Sequence, residues 1–206
     1  MILRTVLLVV GLGMTMERLY AQKADLVLVK TVIPDCILDI RYATTNNFTG
    51  KVVYTSDACY LLEPALRALQ QAADLFRTLG YRIKIWDAYR PRRAQYVLWD
   101  IVPDPRYVAD PVKGSKHNRG CAVDITLVDK EGIELDMGTV FDDFTPRAHR
   151  DAQDICQEAL KNRKILETVM YQSGFTGEPT EWWHFDFEGW QEYPLLDIDS
   201  SDVPSV

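Results

Sequence analysis

Two short segments of this 206-residue chain concentrate side chains that bind metals and transfer protons. They span residues 115–124 and 181–184, and they contain two of the chain's three histidines. A hydrolytic zinc site needs three His or carboxylate ligands, with one position left for water or substrate. His117, Asp124 and His184 supply such a set, so the sequence predicts a zinc hydrolase.

A glutamate accompanies the second histidine. Glu181 lies three residues before His184, a spacing that can place a carboxylate beside a metal without making it a ligand. A group so placed can take a proton from water and pass it to a leaving amine. The neighbouring Trp182 and Trp183 predict a desolvated setting, in which the carboxyl pKa rises. The alternative interpretation is a solvated surface glutamate.

Arg90 follows a predicted strand, at a strand end where functional residues often lie. A guanidinium there can stabilise the oxyanion of a tetrahedral intermediate. The spacing is equally compatible with a structural salt bridge between Arg90 and Asp87.

The hydrophobic periodicity predicts the elements that position these residues. Helices are expected at 64–79, from Pro91 to about Ile101, and over 147–172 with a break near Asn162. Strands are expected at 24–33, 37–42, 81–86, 121–128 and 181–187. Without a regular βαβ cadence, this pattern favours a single α+β domain with a central, mainly antiparallel sheet flanked by helices.

The composition restricts the class of protein. The chain is 47% hydrophobic and 26% charged, which suits one globular domain, and its formal net charge is −7. No segment collects Lys and Arg into a stripe, so nucleic acid is excluded as an expected partner.

The N-terminus has the order of a secretory signal peptide. Arg4 precedes an apolar run over residues 6–14, and Leu19-Tyr20-Ala21 suits a cleavage site. The apolar run is too short to span a bilayer, which takes roughly 20 residues. We therefore expect a signal peptide at 1–21 and a catalytic domain at 22–206, periplasmic or secreted, with a frayed tail after about residue 196. The alternative is a cytoplasmic protein with an apolar first element.

The four cysteines show no CxxC spacing, so neither a zinc knuckle nor a thioredoxin-like motif is indicated. A Cys36–Cys59 disulfide and free buried thiols are both compatible with the sequence. Cys121 stands between two of the expected metal ligands, where a thiol could compete for the metal.

The pattern S-x-H-x-x-G-x-A-x-D at Ser115–Asp124, followed by E-x-x-H at Glu181–His184, resembles the zinc D-alanyl-D-alanine peptidases. Within that family, the residues 87–91 (DAYRP), 42–50 (YATTNNFTG) and 136–142 (DMGTVFD) are similar to the VanX-type dipeptidases of glycopeptide resistance. The resemblance covers roughly residues 25 to 190 and implies a hedgehog/DD-peptidase-like fold.

The resemblance implies hydrolysis of D-alanyl-D-alanine to two D-alanines, with one zinc ion per chain. It makes His117, Asp124 and His184 the zinc ligands, Glu181 the general base and Arg90 the transition-state stabiliser. It also implies a small substrate cavity, with acidic groups facing the free ammonium of the dipeptide. The residues that it assigns to this cavity are Ser115, Tyr42 and Asp142.

Three alternatives remain at the level of sequence. A D,D-carboxypeptidase or an L,D-endopeptidase would share the zinc and the base but accept longer peptidoglycan peptides. A noncatalytic metal-bound binding module, like the hedgehog domain, would need neither Glu181 nor Arg90, so the presence of both favours an enzyme. A structural zinc site usually closes all four positions with Cys and His, whereas three ligands are found here.

Overall fold

The computed structural model of the chain describes residues 25–199 and 202–203. The predicted signal peptide, residues 1–21, lies outside the described residues. The sheet and helices given below confirm the expected α+β class.

Five strands form the central sheet. They are β2 (Ile37–Leu38), β4 (Arg82–Asp87), β5 (Ala122–Val128), β6 (Phe175–Gly177) and β7 (His184–Phe187), in the spatial order β2-β4-β5-β7-β6. β2 pairs with β4 in parallel, and the other pairs are antiparallel. A separate two-stranded antiparallel sheet joins β1 (Leu26–Leu28) to β3 (Tyr60–Leu62). All seven residues of β5 are buried, so both faces of the sheet centre are covered.

Four helices accompany the sheets: α1 (Val29–Val32), α2 (Glu63–Thr78), α3 (Arg92–Ile101) and α4 (Gln157–Gln172). α2 buries Leu66, Leu69, Ala73 and Phe76, which recur at steps of three and four, and it packs on β4 and α4. The predictions for α2 and α3 are confirmed. None of the described helices combines the length and apolar character that crossing a bilayer requires.

A β-bulge in β4 decides which side chains face the functional site. Ile85 pairs with Ile125 and Asp87 pairs with Asp124, which leaves Trp86 as an extra residue on β4. Strict alternation would place Asp87 on the same face as Ile85. The extra residue instead places Asp87 beside Asp124, on the opposite face.

The predicted N-terminal strands are only partly correct. The strand expected at 24–33 ends at Leu28 and continues as α1, because Val29 and Ile33 are spaced by one helical turn and both enter the core. The strand expected at 37–42 covers only Ile37–Leu38, and a 3₁₀ turn follows at Arg41–Ala43.

The prediction of a helix over 147–172 with a break near Asn162 is wrong in two respects. α4 begins only at Gln157, because the backbone carbonyls of Arg147 and His149 accept hydrogen bonds from Arg163. α4 also runs unbroken through Asn162, whose side chain donates to the Asp136 carbonyl at 2.9 Å.

The prediction for the last strand also needs correction. This strand, expected from residue 181, begins at His184, after a turn. Within the tail after residue 196, Ile198 and Asp199 contact residues near the start of α3. The Ile198 backbone exchanges hydrogen bonds with the Tyr89 hydroxyl, and Asp199 forms an ion pair with Arg93 at 2.6 Å.

All four cysteines lie in the described part of the chain and carry free thiols, so Cys36 and Cys59 are unpaired. Cys121 packs in a small apolar cluster with Leu26, Leu62 and Tyr89. Burial raises the pKa of the Cys121 thiol to about 12, which keeps it protonated and disfavours the competition for metal considered above.

Gly120 is expected to tolerate no side chain. It has a positive φ of 67°, and an added Cβ would lie 2.9 Å from Leu26 Cδ2 and 3.0 Å from the Leu62 backbone nitrogen. Gly80 is a matched control, with a φ of 85° and nothing within 4 Å of its Cβ position. Gly80→Ala should cost about 1–2 kcal/mol of the free energy of unfolding, from left-handed backbone alone. Gly120→Ala should cost more. Urea denaturation measures both, and equal losses would contradict the close packing at Gly120.

Candidate active site

One cavity of about 100 Å³ collects all eight residues that the sequence and the resemblance single out. It opens beside β4, β5 and the start of β7. Residues 105–109, Phe48 and Phe144 also line it. The predicted residues that line it are Tyr42, Arg90, Ser115, His117, Asp124, Asp142, Glu181 and His184.

Three buried side chains, His117, Asp124 and His184, place one potential ligand atom each around a common point. His184 Nδ1 lies 3.0 Å from Asp124 Oδ1 and 3.2 Å from His117 Nε2, and the latter lies 3.4 Å from the same carboxylate oxygen. A tetrahedral zinc ion with bonds of about 2.0–2.1 Å would separate its ligand atoms by about 3.3–3.4 Å. The donor set and its spacing therefore fit a zinc ion.

Local structure brings the three residues together. Asp124 and His184 face each other directly across the antiparallel pair β5–β7. His117 opens a 3₁₀ turn that ends at Gly120, and the left-handed conformation of this glycine turns the chain into β5. The Cys121 backbone nitrogen donates to the Lys116 carbonyl, and the Arg90 backbone nitrogen donates to the His117 carbonyl, which fixes the turn against both strands.

Each imidazole is oriented by a partner on its outer nitrogen. His117 Nδ1 lies 2.7 Å from the Ala88 carbonyl, and His184 Nε2 lies 2.9 Å from Asp186 Oδ1. Because these oxygens accept, the outer nitrogens donate, and the inner nitrogens keep free lone pairs for a metal. Burial alone would raise the pKa of Asp186, but His184 and Lys116 lower it to about 2.

Sequence reasoning missed Asp186. The spacing His184-x-Asp186 within a strand places both side chains on one face, so the strand period of two could have identified it. Lys116, which lies 3.2 Å from Asp186, carries no comparable sequence signal.

Glu181 lies beside the three ligand atoms but outside their cluster. Its Oε2 is 3.9 Å from His184 Nδ1, and the residue is only 9% exposed. The desolvated setting predicted from the two tryptophans is present, since Trp182 and Trp183 are each 1% exposed. Burial raises the pKa of Glu181 to about 8. His184 opposes this shift, and the charges of Asp124 and Asp142 add to it.

The salt bridge that the spacing allowed between Arg90 and Asp87 is present. Its Nε and Nη2 donate to Asp87 Oδ2 at 2.9 and 2.8 Å, and its Nη1 donates to Gln95 Oε1 at 2.9 Å. Arg90 also lines the cavity, where Nη2 lies 3.9 Å from Asp124 Oδ2. The three bonds use three of the five N–H groups of a guanidinium. A salt bridge therefore holds Arg90 in place, and two N–H groups remain for a bound oxygen.

The other three predicted residues form the cavity wall. The Tyr42 hydroxyl lies 3.2 Å from both carboxylate oxygens of Asp142. Asp142 has a positive φ of 60°, a conformation that costs energy and occurs at functional sites when neighbours enforce it. Burial and the charge of Asp124 raise the pKa of Asp142 well above its usual value. Ser115 Oγ accepts from the His117 backbone nitrogen at 3.2 Å.

A trio of metal-binding atoms, a separate buried carboxyl group and a fixed guanidinium around one small cavity are the parts of a hydrolase active site. Comparison with known proteins narrows this class to a peptidase. The model of the Peptidase_M15 family, described as D-ala-D-ala dipeptidase, matches residues 22–200. The chain belongs to this family.

Named relatives agree with the family match. The chain is 40% identical over 172 residues to a D-alanyl-D-alanine dipeptidase of Escherichia coli, which covers 84% of this chain and 89% of the relative. It is 36% identical over 168 residues to a D-alanyl-D-alanine dipeptidase of Enterococcus faecium, and this match covers 71% of this chain and 83% of the relative. Among solved structures, the LdcB LD-carboxypeptidase matches with a TM-score of 0.48 and 22% identity, over 82% of this chain and 71% of that one.

Replacing Asp186 should weaken metal binding without removing a ligand. Asp186→Asn keeps the shape but loses the charge that orients His184, and loss of such a partner typically costs about 10- to 100-fold in metal affinity. Glu188→Gln, an exposed site two residues further on, is the matched control. Competition with a chromophoric chelator measures zinc affinity in both. An unchanged affinity in Asp186→Asn would show that Asp186 does not support the site.

Proposed function

We propose that the protein hydrolyses D-alanyl-D-alanine to two D-alanines, with a zinc ion held by His117, Asp124 and His184. The observation that carries the proposal is the convergence of the three ligand atoms within 3.4 Å of one another, with the Glu181 carboxyl group next to them. When bound, zinc would act as a Lewis acid toward the scissile carbonyl and lower the pKa of water. The relatives from Escherichia coli and Enterococcus faecium, both D-alanyl-D-alanine dipeptidases, support the substrate.

Glu181 is the proton carrier in this proposal. Its Oε2 accepts a proton from the attacking water and delivers it to the nitrogen of the leaving D-alanine. The burial that raises its pKa makes it a stronger base than an exposed glutamate. Glu181 ionises more readily when the adjacent ligands hold a cation, because an opposite charge nearby favours the charged carboxylate.

Arg90 is proposed to stabilise the oxyanion. Asp87 and Gln95 hold its guanidinium in one orientation, so its two remaining N–H groups need no reorganisation when negative charge develops. Removal of one such donor typically costs about 10²- to 10³-fold in turnover. Asp87 also accepts from the Tyr54 hydroxyl at 2.6 Å, which anchors the pair to the core.

Asp142 is proposed to bind the free ammonium of the dipeptide. It shares the cavity with other acidic groups, and a cation beside it would offset the burial and the charge of Asp124 that raise its pKa. A longer peptide would bring a neutral amide to this carboxylate instead of an ammonium. The small cavity volume and Asp142 therefore favour a dipeptidase over a D,D-carboxypeptidase or an L,D-endopeptidase.

Release of D-alanine tests the function directly. The purified protein should release D-alanine from D-alanyl-D-alanine, a chelator should abolish the release, and added zinc should restore it. A longer peptide ending in D-alanyl-D-alanine should be cleaved at least about 100-fold more slowly, since its neutral amide would leave a buried carboxylate unpaired. Equal cleavage of the longer peptide would indicate a carboxypeptidase. Cleavage of neither substrate would contradict the proposed activity.

Glu181→Gln should separate metal binding from catalysis. The amide keeps the size of the side chain but cannot accept a proton, so turnover should fall by about 10²- to 10⁴-fold. Zinc content, measured by atomic emission, should remain near one ion per chain. Loss of zinc from Glu181→Gln would show that Glu181 is a ligand, and retained turnover would exclude it as the base.

Asp142→Asn should affect substrate binding more than the chemical step. Asn tolerates the left-handed backbone at this position, so the fold should be retained. We expect KM for D-alanyl-D-alanine to rise by about tenfold or more with a smaller change in kcat, the pattern of a lost uniform binding contact. Steady-state kinetics measure the split. A fall in kcat at constant KM would place Asp142 in the chemical step instead.

A further inference from the structure

The connection between β6 and β7 carries Glu181 to its place beside the metal ligands. β6 ends at Gly177 and β7 begins at His184, so this connection spans residues 178–183. Three backbone hydrogen bonds close it: Glu178 N to the His184 carbonyl at 3.4 Å, Glu181 N to the Glu178 carbonyl at 3.3 Å and His184 N to the Glu181 carbonyl at 3.4 Å. All three are longer than the usual N–H···O distance of about 2.7–3.2 Å. The backbone of the connection therefore fixes its own shape only weakly.

One guanidinium bridges the two ends of this connection. Arg150 Nε donates to the Glu178 carbonyl at 2.8 Å, and Arg150 Nη2 donates to the His184 carbonyl. The Arg150 backbone nitrogen also donates to the Pro179 carbonyl at 3.0 Å. Because a guanidinium is planar and rigid, its two donors fix the distance between the carbonyls that lie on either side of Glu181.

The surroundings of Arg150 keep its guanidinium at this position. The side chain is only 12% exposed, and the guanidinium lies 4.4 Å from the centre of the Phe185 ring. Glu167 Oε1 lies 3.8 Å from Arg150 Nη1. Burial of a cation is costly unless hydrogen bonds and opposite charge compensate it. Moving the guanidinium away from the two carbonyls would remove most of that compensation.

Gly177 provides the space that the guanidinium occupies. A Cβ at this position would lie 2.2 Å from both Cζ and Nε of Arg150. Gly177 is not among the glycines with a positive φ, so its backbone conformation is open to other residues. The absence of a side chain at Gly177 is therefore needed for the contact with Arg150 and not for the path of the backbone.

We propose that Arg150 is a positioning residue that sets the place of the Glu181 carboxyl group relative to the metal ligands. Arg150 does not line the active-site cavity, so it acts through the backbone of the connection. His184 is also fixed by its pairing with Asp124 across β5 and β7, whereas Glu181 lies outside the sheet. Loss of Arg150 should therefore affect Glu181 more than the ligands. This inference rests on the proposed role of Glu181 as the base.

Arg150→Leu removes both donors, keeps an apolar contact with Phe185 and ends short of the Nε position. The Glu178 and His184 carbonyls each keep a backbone donor, so the fold should be retained. We expect kcat for D-alanyl-D-alanine to fall by about 10- to 100-fold, with a smaller change in KM and with zinc affinity within about threefold of wild type. Arg150→Lys keeps the charge but not the fork, so it should recover only part of the lost turnover.

Arg147→Met is the matched control for these variants. Arg147 is exposed, and its Nε donates to the Asp154 carbonyl, outside the connection. This variant should keep the wild-type kcat and KM.

Hydrogen exchange of backbone amides tests the proposal without an activity measurement. In the zinc-loaded full chain, the Glu178 and Glu181 amides should exchange at least about tenfold faster in Arg150→Leu than in wild type, because the connection opens more often. Amides of β5 should exchange at the wild-type rate. The exchange result does not depend on the substrate, so it separates a failure of this inference from a failure of the proposed function.

Gly177→Ala provides a second variant that leaves Arg150 in the chain. The added methyl group should displace the guanidinium, lower kcat and speed exchange of the same two amides. In the Arg150→Leu background the same change should add little, because the group it collides with is gone. A double-mutant cycle on kcat measures this coupling.

Three results would overturn the proposal. Wild-type exchange rates or wild-type kcat in Arg150→Leu would show that the connection keeps its shape without Arg150. Parallel loss of zinc and turnover would show that Arg150 supports the ligands and not Glu181. Additive losses in the cycle would show that Gly177 acts independently of Arg150.

Discussion

Four acidic side chains, Asp87, Asp124, Asp142 and Glu181, converge on one desolvated region, and the rest of the site follows from how their charge is compensated. The charge of Asp87 is compensated by Arg90, which donates two hydrogen bonds to it. Asp124 lies between two imidazoles, and their attraction outweighs the effect of burial and lowers its pKa. For Glu181 and Asp142 the opposing effect of Arg90 is outweighed, and burial and the charge of Asp124 raise the pKa of each. In the proposed function, a metal ion compensates the negative charge of Glu181, and the substrate ammonium compensates that of Asp142.

The balance of charges matters because water is largely excluded from the site. A wall of aromatic side chains contributes to this exclusion. The Phe141 ring lies 5.0 Å from Trp86 and 5.5 Å from Trp183, measured between ring centres. Electrostatic interactions are stronger where water is excluded, so the burial that raises the pKa of Glu181 would, in the proposed function, also strengthen the interaction of Arg90 with an oxyanion.

The backbone places these groups through three local departures from regular structure. The bulge at Trp86 moves Asp87 to the face of Asp124. The left-handed Gly120 returns the His117 turn to β5. The left-handed Asp142 brings a carboxylate to the Tyr42 hydroxyl. Glycine adopts the left-handed conformation readily, whereas at Asp142 it costs conformational energy and requires surrounding contacts to hold it.

The sequence by itself determined the chemistry of the site, because side-chain type and local spacing decide which groups can bind a metal or carry a proton. It predicted α2, α3 and the central strands, since their hydrophobic periods are strong and local. Residue type and spacing identified five of the eight candidate residues, and the family resemblance added Ser115, Tyr42 and Asp142; the structure gathers all eight in one cavity. Their roles remain predictions.

Only the tertiary structure decided the features that depend on contacts distant in sequence. The bulge arises in the pairing of β4 with β5. The late start of α4 arises where the backbone carbonyls of Arg147 and His149 accept hydrogen bonds from the remote Arg163. The position of Asp87, which accepts hydrogen bonds from Arg90 within the site, likewise depends on a contact distant in sequence. Strict alternation assigns Asp87 to the core face, and only pairing with β5 places it beside Asp124. Periodicity describes one segment at a time, whereas the energy of these contacts belongs to pairs of segments.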